Sequence, residues 1–204
     1  EQLELIVERG GERKAIRIER DEDTDLGLDF AAPLFDGLRE CGNQCEFCFV
    51  RQMPRGMRRT LCVRDDDYRL SFLQGSYITL TNLTEADWER IGEQRLSPLY
   101  VSVHATEVAL RRRMLGNPTA PDILEQLRRL GGLGIEVHAQ IVVVPGRNDG
   151  AALERSIRDL AGLWPTVRTL AVVPVGLTRY HRGGLRLNTP DEAREILALV
   201  DRVA

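Results

Sequence analysis

The sequence predicts an α/β fold of parallel strands joined by helical crossovers: an α/β barrel, a partial barrel or a doubly wound sheet, with a short β-hairpin in front. Three observations predict it. Short apolar runs alternate with amphipathic helical patterns from Leu34 to the end of the chain. Several of those helical patterns open on a capping residue or a proline, so the helices have marked starts. No Gly-x-Gly-x-x-Gly follows the first strand and no Walker P-loop occurs, which takes support from two nucleotide-binding open sheets and favours the barrel.

Each element has its own warrant. Leu3 to Val7 and Ala15 to Ile18 flank Gly10-Gly11 and alternate (Leu3, Leu5, Val7; Ile16, Ile18), the pattern of a hairpin. A lone hairpin is marginal, so it is expected to belong to a larger unit or to pack on the main domain. The acidic run Asp21 to Asp25 reads as a linker. Leu34 to Leu38 is a weak strand candidate and Tyr77 to Leu80 a stronger one. A helix follows from Thr84 to Gln94, with Thr84 and Asp87 spaced as a capping box and Leu83 and Trp88 as a hydrophobic staple. Leu99 to Val103 is the next strand. A short Arg-rich helix, Glu107 to Met114, and one opened by Pro121 with Ile123, Leu124, Leu127 and Leu130 on one face lead to the strand Val137 to Val144. Asn148-Asp149 caps a helix carrying Leu153, Ile157 and Leu160. Val167 to Val175 is a further strand. Thr189-Pro190 opens the last helix, with Ile196, Leu197 and Val200 expected to face inward.

With 204 residues, 43% apolar and 29% charged, the chain can bury one substantial core. Its unbroken apolar runs, such as Ile141 to Val144, are far below the ~18 residues of a membrane span, so no membrane partner is expected. A net charge of −3 lacks the basic excess of a nucleic-acid binder. The chain starts at Glu1 and carries no signal-peptide pattern, so it reads as an excerpt of a longer, cytoplasmic protein.

Cysteine usage carries the chemistry. Cys41, Cys45 and Cys48 fall in one loop and Cys62 stands apart. A tight cluster of this kind binds a metal or does redox work more often than it forms a disulfide framework. Structural zinc takes four protein ligands, so a zinc module used for protein interaction would need Cys62 or a histidine as the fourth. A 4Fe-4S cube held by three thiolates keeps one iron open to an outside ligand, whereas a simple electron carrier needs a fourth cysteine. Zinc module, electron carrier and enzyme all remain open on spacing alone.

The spacing Cys41-x3-Cys45-x2-Cys48, with the aromatic Phe47 before the last cysteine, resembles the radical S-adenosylmethionine (radical SAM) superfamily. The resemblance implies a partial (β/α) TIM-like barrel of about five or six strands, with active groups at the carboxyl ends of the strands. It implies that Cys41, Cys45 and Cys48 hold a 4Fe-4S cluster and that the open iron takes SAM. One electron, from an external donor, then cleaves SAM to methionine and a 5′-deoxyadenosyl radical that acts on a substrate. Tyr100 to Ala105 is similar to the superfamily's mid-barrel strand, which makes Ser102 and His104 candidates for the ribose or methionine end of SAM. Gln140 to Gly146 and Val172 to Gly176 are similar to the strands that approach adenine, which adds Gln140, Val142 and Val173. Many members carry Gly-Gly-Glu for the SAM amine; this chain has Thr79-Leu80-Thr81-Asn82, so Thr81, Asn82 or backbone carbonyls are expected to take that role. Phe47 joins the cofactor-binding set.

A narrower resemblance, running from Pro33 through Asp65–Phe72 and Ser97–Ala105 to Thr178, is to proteins that join a PDZ domain, a radical SAM segment and a C-terminal domain of unknown function. It implies that residues 1–28 are the hairpin tail of a PDZ-like domain plus a linker, and that 29–204 are the radical SAM core, cut before its C-terminal domain. The substrate class stays open between a small molecule, a peptide and an RNA; Ser102 to Ala105 followed by Leu110-Arg111 also resembles RNA-methylating members. Other residues carry plainer expectations. His138 is read as structural, Met53, Met57 and Met114 as gap-fillers, Cys62 as non-ligating, and Arg111 to Arg113 as a solvated helical face. Asp65 to Asp67 with Arg69 are read as a segment that docks on the barrel and binds substrate or closes the site, against the usual solvated acidic run.

Overall fold

The computed structural model describes residues 2–19, 21, 25–31, 34 and 36–203. The chain forms two compact units, Glu1–Gly37 and Leu38–Ala204. In the first, β1 (Gln2–Arg9) and β2 (Glu12–Glu19) pair antiparallel with Leu3 opposite Ile18 and Leu5 opposite Ile16. Gly10 and Gly11 both have positive φ, 62° and 84°, which a two-residue hairpin turn of the twist-matching kind demands. Residues 22–24 of the acidic run lie outside the described residues, as do Pro33 and Phe35. The described parts of the 34–38 strand candidate carry no strand.

The second unit is α/β. Strands β3 (Leu99–Ser102), β4 (Val137–Val143) and β5 (Val167–Pro174) form one parallel sheet in the order β3-β4-β5. The register sets Val101 opposite Ala139 and Val142 opposite Val173. Helices α1 (Tyr68–Gln74), α2 (Glu85–Glu93), α3 (Val108–Leu115), α4 (Ile123–Gly132), α5 (Gly150–Ala161) and α6 (Pro190–Val203) connect and cover it. β4 alternates strictly: Val137, Ala139, Ile141 and Val143 are buried in the main core, with Leu127 and Leu130 of α4 and Leu153 and Leu160 of α5, while Gln140 and Val142 face the opposite side. No described helix is long and apolar enough to cross a membrane.

Among the described residues the sheet has three strands instead of the five or six expected, and, as a partial barrel implies, it does not close. Backbone geometry and hydrogen bonding give the reason. Ile78 makes a single parallel bridge to Val101, donating to the Tyr100 carbonyl at 2.9 Å and accepting from Ser102 N at 2.7 Å. At Leu80 the backbone turns to φ 58°, so the Tyr77 to Leu80 strand stops at one rung, and on its other edge the Thr79 N–H goes to the Asp66 carboxylate at 2.5 Å. One step back, the Ser71 hydroxyl of α1 accepts from Tyr100 N at 2.8 Å and fills the edge position that a longer strand would need. The segment before the cysteines likewise makes only an antiparallel bridge, Glu40 to Asp65.

Two further expectations are corrected. α1 stands where the sequence shows only an acidic run, because the last member of that run, Asp67, is its cap: the carboxylate accepts from Arg69 N at 3.0 Å, and Gly75 ends the helix at φ 73°. Leu197 faces outward at 64% exposure, because Ile196, Leu199, Val200 and Val203 already make the inward arc at helical spacing. The Thr84 capping box is present as expected, with both reciprocal bonds to Asp87.

Candidate functional site

The cysteine loop is positioned by backbone bonds at both ends. Cys41 N donates to the Arg64 carbonyl at 2.7 Å, and Gln44 N to the Leu115 carbonyl at 2.8 Å, at the C-terminus of α3. Gly116 caps α3 at φ 58°, and a Cβ there would stand 2.7 Å from the Gln44 carbonyl oxygen, so only glycine lets the loop approach this closely. The Cys45 thiol is buried and points at the Leu115 carbonyl, 3.8 Å away. Burial, reinforced by Cys41 and Cys48, pushes its pKa up to about 12. Burial and Asp66 push the Cys41 thiol up as well. A cation bound beside Cys45 would oppose both causes.

Cys41, Cys45 and Cys48 line one cavity of about 550 Å³ with Phe47, Ser102, His104, Gln140 and Val142. The thiols are not gathered on one point: among the described residues no three His, Cys, Asp or Glu side chains are arranged to hold a metal ion. Cys62 is exposed and outside the cavity. The strand-end residues arrive as a parallel sheet requires, at the carboxyl ends of β3 and β4. His104 is held at φ 63° against the Phe47 ring, centroids 4.8 Å apart. Its Nδ1 accepts from Val142 N at 3.2 Å, which fixes the proton on Nε2. Burial, then the Arg111 charge, lowers its pKa to about 3, so the ring is neutral. Val173 is the ladder partner of Val142 on the same face but does not itself line the cavity.

The other wall is polar and was only partly legible. Asn43, 2% exposed, donates to Thr79 Oγ1 at 2.9 Å and Thr81 Oγ1 at 3.0 Å and accepts from Asn117 at 2.8 Å. Thr79 Oγ1 donates in turn to Asp66 Oδ2 at 2.6 Å. Asn82 donates to the Asp66 carbonyl at 3.0 Å. Thr81 and Asn82 therefore stand behind the wall and hold it, whereas Thr79, Asp65 and Asp66 line the cavity. Asp66 and Asp67 are fully buried, not a solvated acidic run. Burial raises the Asp66 carboxyl pKa, while its two Thr79 bonds act in the other direction.

Arg111 is the clearest correction. It was expected on a solvated face with Arg112 and Arg113; those two are exposed, but Arg111 is 1% exposed. Its guanidinium donates to the Thr79 carbonyl at 2.7 Å and the Pro121 carbonyl at 3.3 Å, and its Nε has no partner. Burial lowers its pKa to about 10, against the pull of Asp66. The helical period could have separated it from its neighbours, since Leu110, Met114 and Leu115 are buried beside it. No periodicity announces Asn43 or Thr79. The plainer expectation for His138 fits its bond to Thr169 across the ladder, 2.7 Å.

Residues 20–170 match a family described as a radical SAM-like domain. A domain of a pyruvate-formate lyase-activating enzyme from Bacteroides vulgatus is similar in structure, with 14% identity and a TM-score of 0.48 over 64% of this chain and 79% of that one. A radical SAM methyltransferase from Sphaerobacter thermophilus has 18% identity and a TM-score of 0.42 over 63% of this chain and 38% of that one. No curated protein matches. With well over half of its length matched, and with the Cys-x3-Cys-x2-Cys loop inside the matched segment, the chain belongs to the radical SAM-like domain family.

Proposed function

We propose that this chain is a radical SAM enzyme core in which Cys41, Cys45 and Cys48 hold a 4Fe-4S cluster and SAM binds in the adjoining cavity. The observation that carries the reading is that all three thiols line one 550 Å³ cavity with the strand-end residues Ser102, His104, Gln140 and Val142. The donors fit the group in kind and number for three iron corners. When bound, such a cluster supplies the electron that splits SAM into methionine and a 5′-deoxyadenosyl radical.

The cavity also suits a sulfonium ligand carrying an ammonium group. Asp65 lines it, and its Oδ2 is buried without a hydrogen-bond partner. A cation there satisfies that oxygen and eases the burial that raises Asp66. These carboxylates supply the charge that the absent Gly-Gly-Glu would bring, with Thr81 and Asn82 holding their wall in place. His104, neutral with Nδ1 occupied, offers an Nε2–H donor to a hydroxyl or carboxylate. Ser102 and Gln140 add polar side chains, Val142 and Val173 apolar surface for a base, and Phe47 shields the thiols. An external one-electron donor is required, and the substrate enters the same cavity.

Anaerobic reconstitution tests the reading. The expected result is about four iron and four sulfide per chain and reductant-dependent release of 5′-deoxyadenosine, both lost in Cys45→Ala. A Cys45→Ala chain that still cleaves SAM, or a wild-type chain that takes up no iron, overturns it. Asp65→Asn is expected to keep the iron and weaken SAM binding about tenfold, the loss of one charged contact.

A further inference from the structure

A second and larger cavity, about 890 Å³, lies beside the cysteine loop and shares only Cys45 with the first. Its lining is basic. Arg51, Arg55, Arg147, Arg179 and Arg182 stand around it against one carboxylate, Glu46. Glu46 is engaged by Arg147 at 3.6 Å, and Arg179 donates to the neighbouring Tyr180 hydroxyl at 2.6 Å. Arg51, Arg55 and Arg182 have no acidic partner among the described residues. His181 also lines the cavity, and its Nε2 is buried with no hydrogen-bond partner.

Several like charges in one concavity repel one another, and a chain of net charge −3 has carboxylates available to disperse them. They are instead concentrated where the wall is concave. Guanidinium forks match phosphate oxygens two at a time, and a ligand with one negative group leaves most of the forks unmatched. We propose that this cavity binds a compact ligand carrying two or more linked phosphate groups, with Arg51, Arg55 and Arg182 as its principal contacts. The two cavities meet at Cys45, but the arginines named here are none of the cluster's proposed ligands.

Titration calorimetry on the reconstituted full chain, with inorganic pyrophosphate as the probe, tests it. Saturable one-to-one binding is expected, weakened by about a hundredfold in R51A/R182A, about tenfold for each lost fork. The control R90A/R128A removes the same charge from residues outside the cavity and is expected to leave binding unchanged. Citrate, of similar charge but built on carboxylates, is expected to bind about tenfold more weakly or worse. No saturable binding, equal loss in both double variants, or citrate binding as tightly as pyrophosphate overturns the proposal. A single-stranded RNA oligonucleotide that binds far more tightly than pyrophosphate and displaces it also overturns it, in favour of a nucleic-acid groove. None of these readings uses SAM cleavage, so a chain that binds pyrophosphate but takes up no iron separates this site from the proposed reaction.

Discussion

The two walls of the thiol cavity are built on different physics. The β4 side is a ladder: regular parallel register, alternating burial, and apolar packing of Val137, Ala139, Ile141 and Val143 against helices. Its stability accrues by area, at roughly 25 cal/mol per Å² of apolar surface, and no single residue is decisive. The Asn43, Thr79, Asp66 and Arg111 side is a network of buried polar groups. Each bond there nets only about 1 kcal/mol, yet leaving one unmade costs more than making it gains. The ladder therefore tolerates change by degrees, while the network fails abruptly. The cysteine loop hangs on the network, through Asn43, and on the end of α3.

Removing Arg111 is the strongest way to test that contrast. Arg111→Met keeps much of the volume but leaves the Thr79 and Pro121 carbonyls unpaired and Asp66 without its nearby positive charge. The expected loss is about 3–5 kcal/mol, as for one partner stripped from a buried charged set, with iron loading falling in step. Denaturant midpoints and iron content measure both; a loss below about 1 kcal/mol would mean that the network is not the fragile wall. Gly116→Ala should rank next. It forces a side chain into the left-handed region at about 1–2 kcal/mol and pushes on the Gln44 carbonyl, so the loop shifts and iron uptake falls further than stability alone accounts for.

The pH dependence sharpens the same comparison, because His104 joins the β4 wall to the cysteine loop, packed on Phe47 and bonded to Val142 N. Its folded pKa is lowered to about 3, whereas an unfolded histidine titrates near 6.5. The unfolded chain thus binds the proton first as pH falls. Stability from this group is intact above pH 6.5 and drains away down to about pH 3. Between pH 7 and pH 5 the loss should be about 2 kcal/mol. His104→Asn, which tolerates positive φ and does not titrate, should remove that slope. Parallel pH profiles for the two proteins would count against a neutral buried imidazole. Asp66, raised by burial, works in the opposite sense, losing its share as pH rises through its folded pKa, and the difference between the two proteins cancels it.

Legibility followed the same divide. Period-2 alternation marked β4, and the period of α4 and α5 marked their buried faces, because area-driven burial writes itself into neighbouring residues. The cysteine spacing was legible because all its ligands share one loop. The network was not. Asn43, Asp66, Thr79 and Arg111 are scattered over the sequence; the acidic run reads as a docking segment and Thr79 as part of a strand, but nothing in the spacing joins them to Asn43 or to an Arg111 that reads as surface. α1 stayed hidden for the same reason: its Asp67 cap looked like one more charge in a run. The missing strands failed on the turn at Leu80 and on competition, since an Asp66 carboxylate and a Ser71 hydroxyl took the amides that β-propensity had assigned to ladders.

The smallest change tests the ladder by itself. Ile141 is fully buried in the main core, on the face of β4 turned away from the thiol cavity. Ile141→Val deletes one methyl and leaves the backbone ladder, the register and Val142 untouched, so the cost is transfer plus a small void, about 0.5–1.5 kcal/mol. Iron content and the His104 pH slope should not move, because neither depends on how tightly the helix side of β4 is filled. A variant that loses stability in this range and also loses iron would show the two walls to be coupled through β4. A variant that loses stability alone would show that the sheet carries the cavity without tuning it.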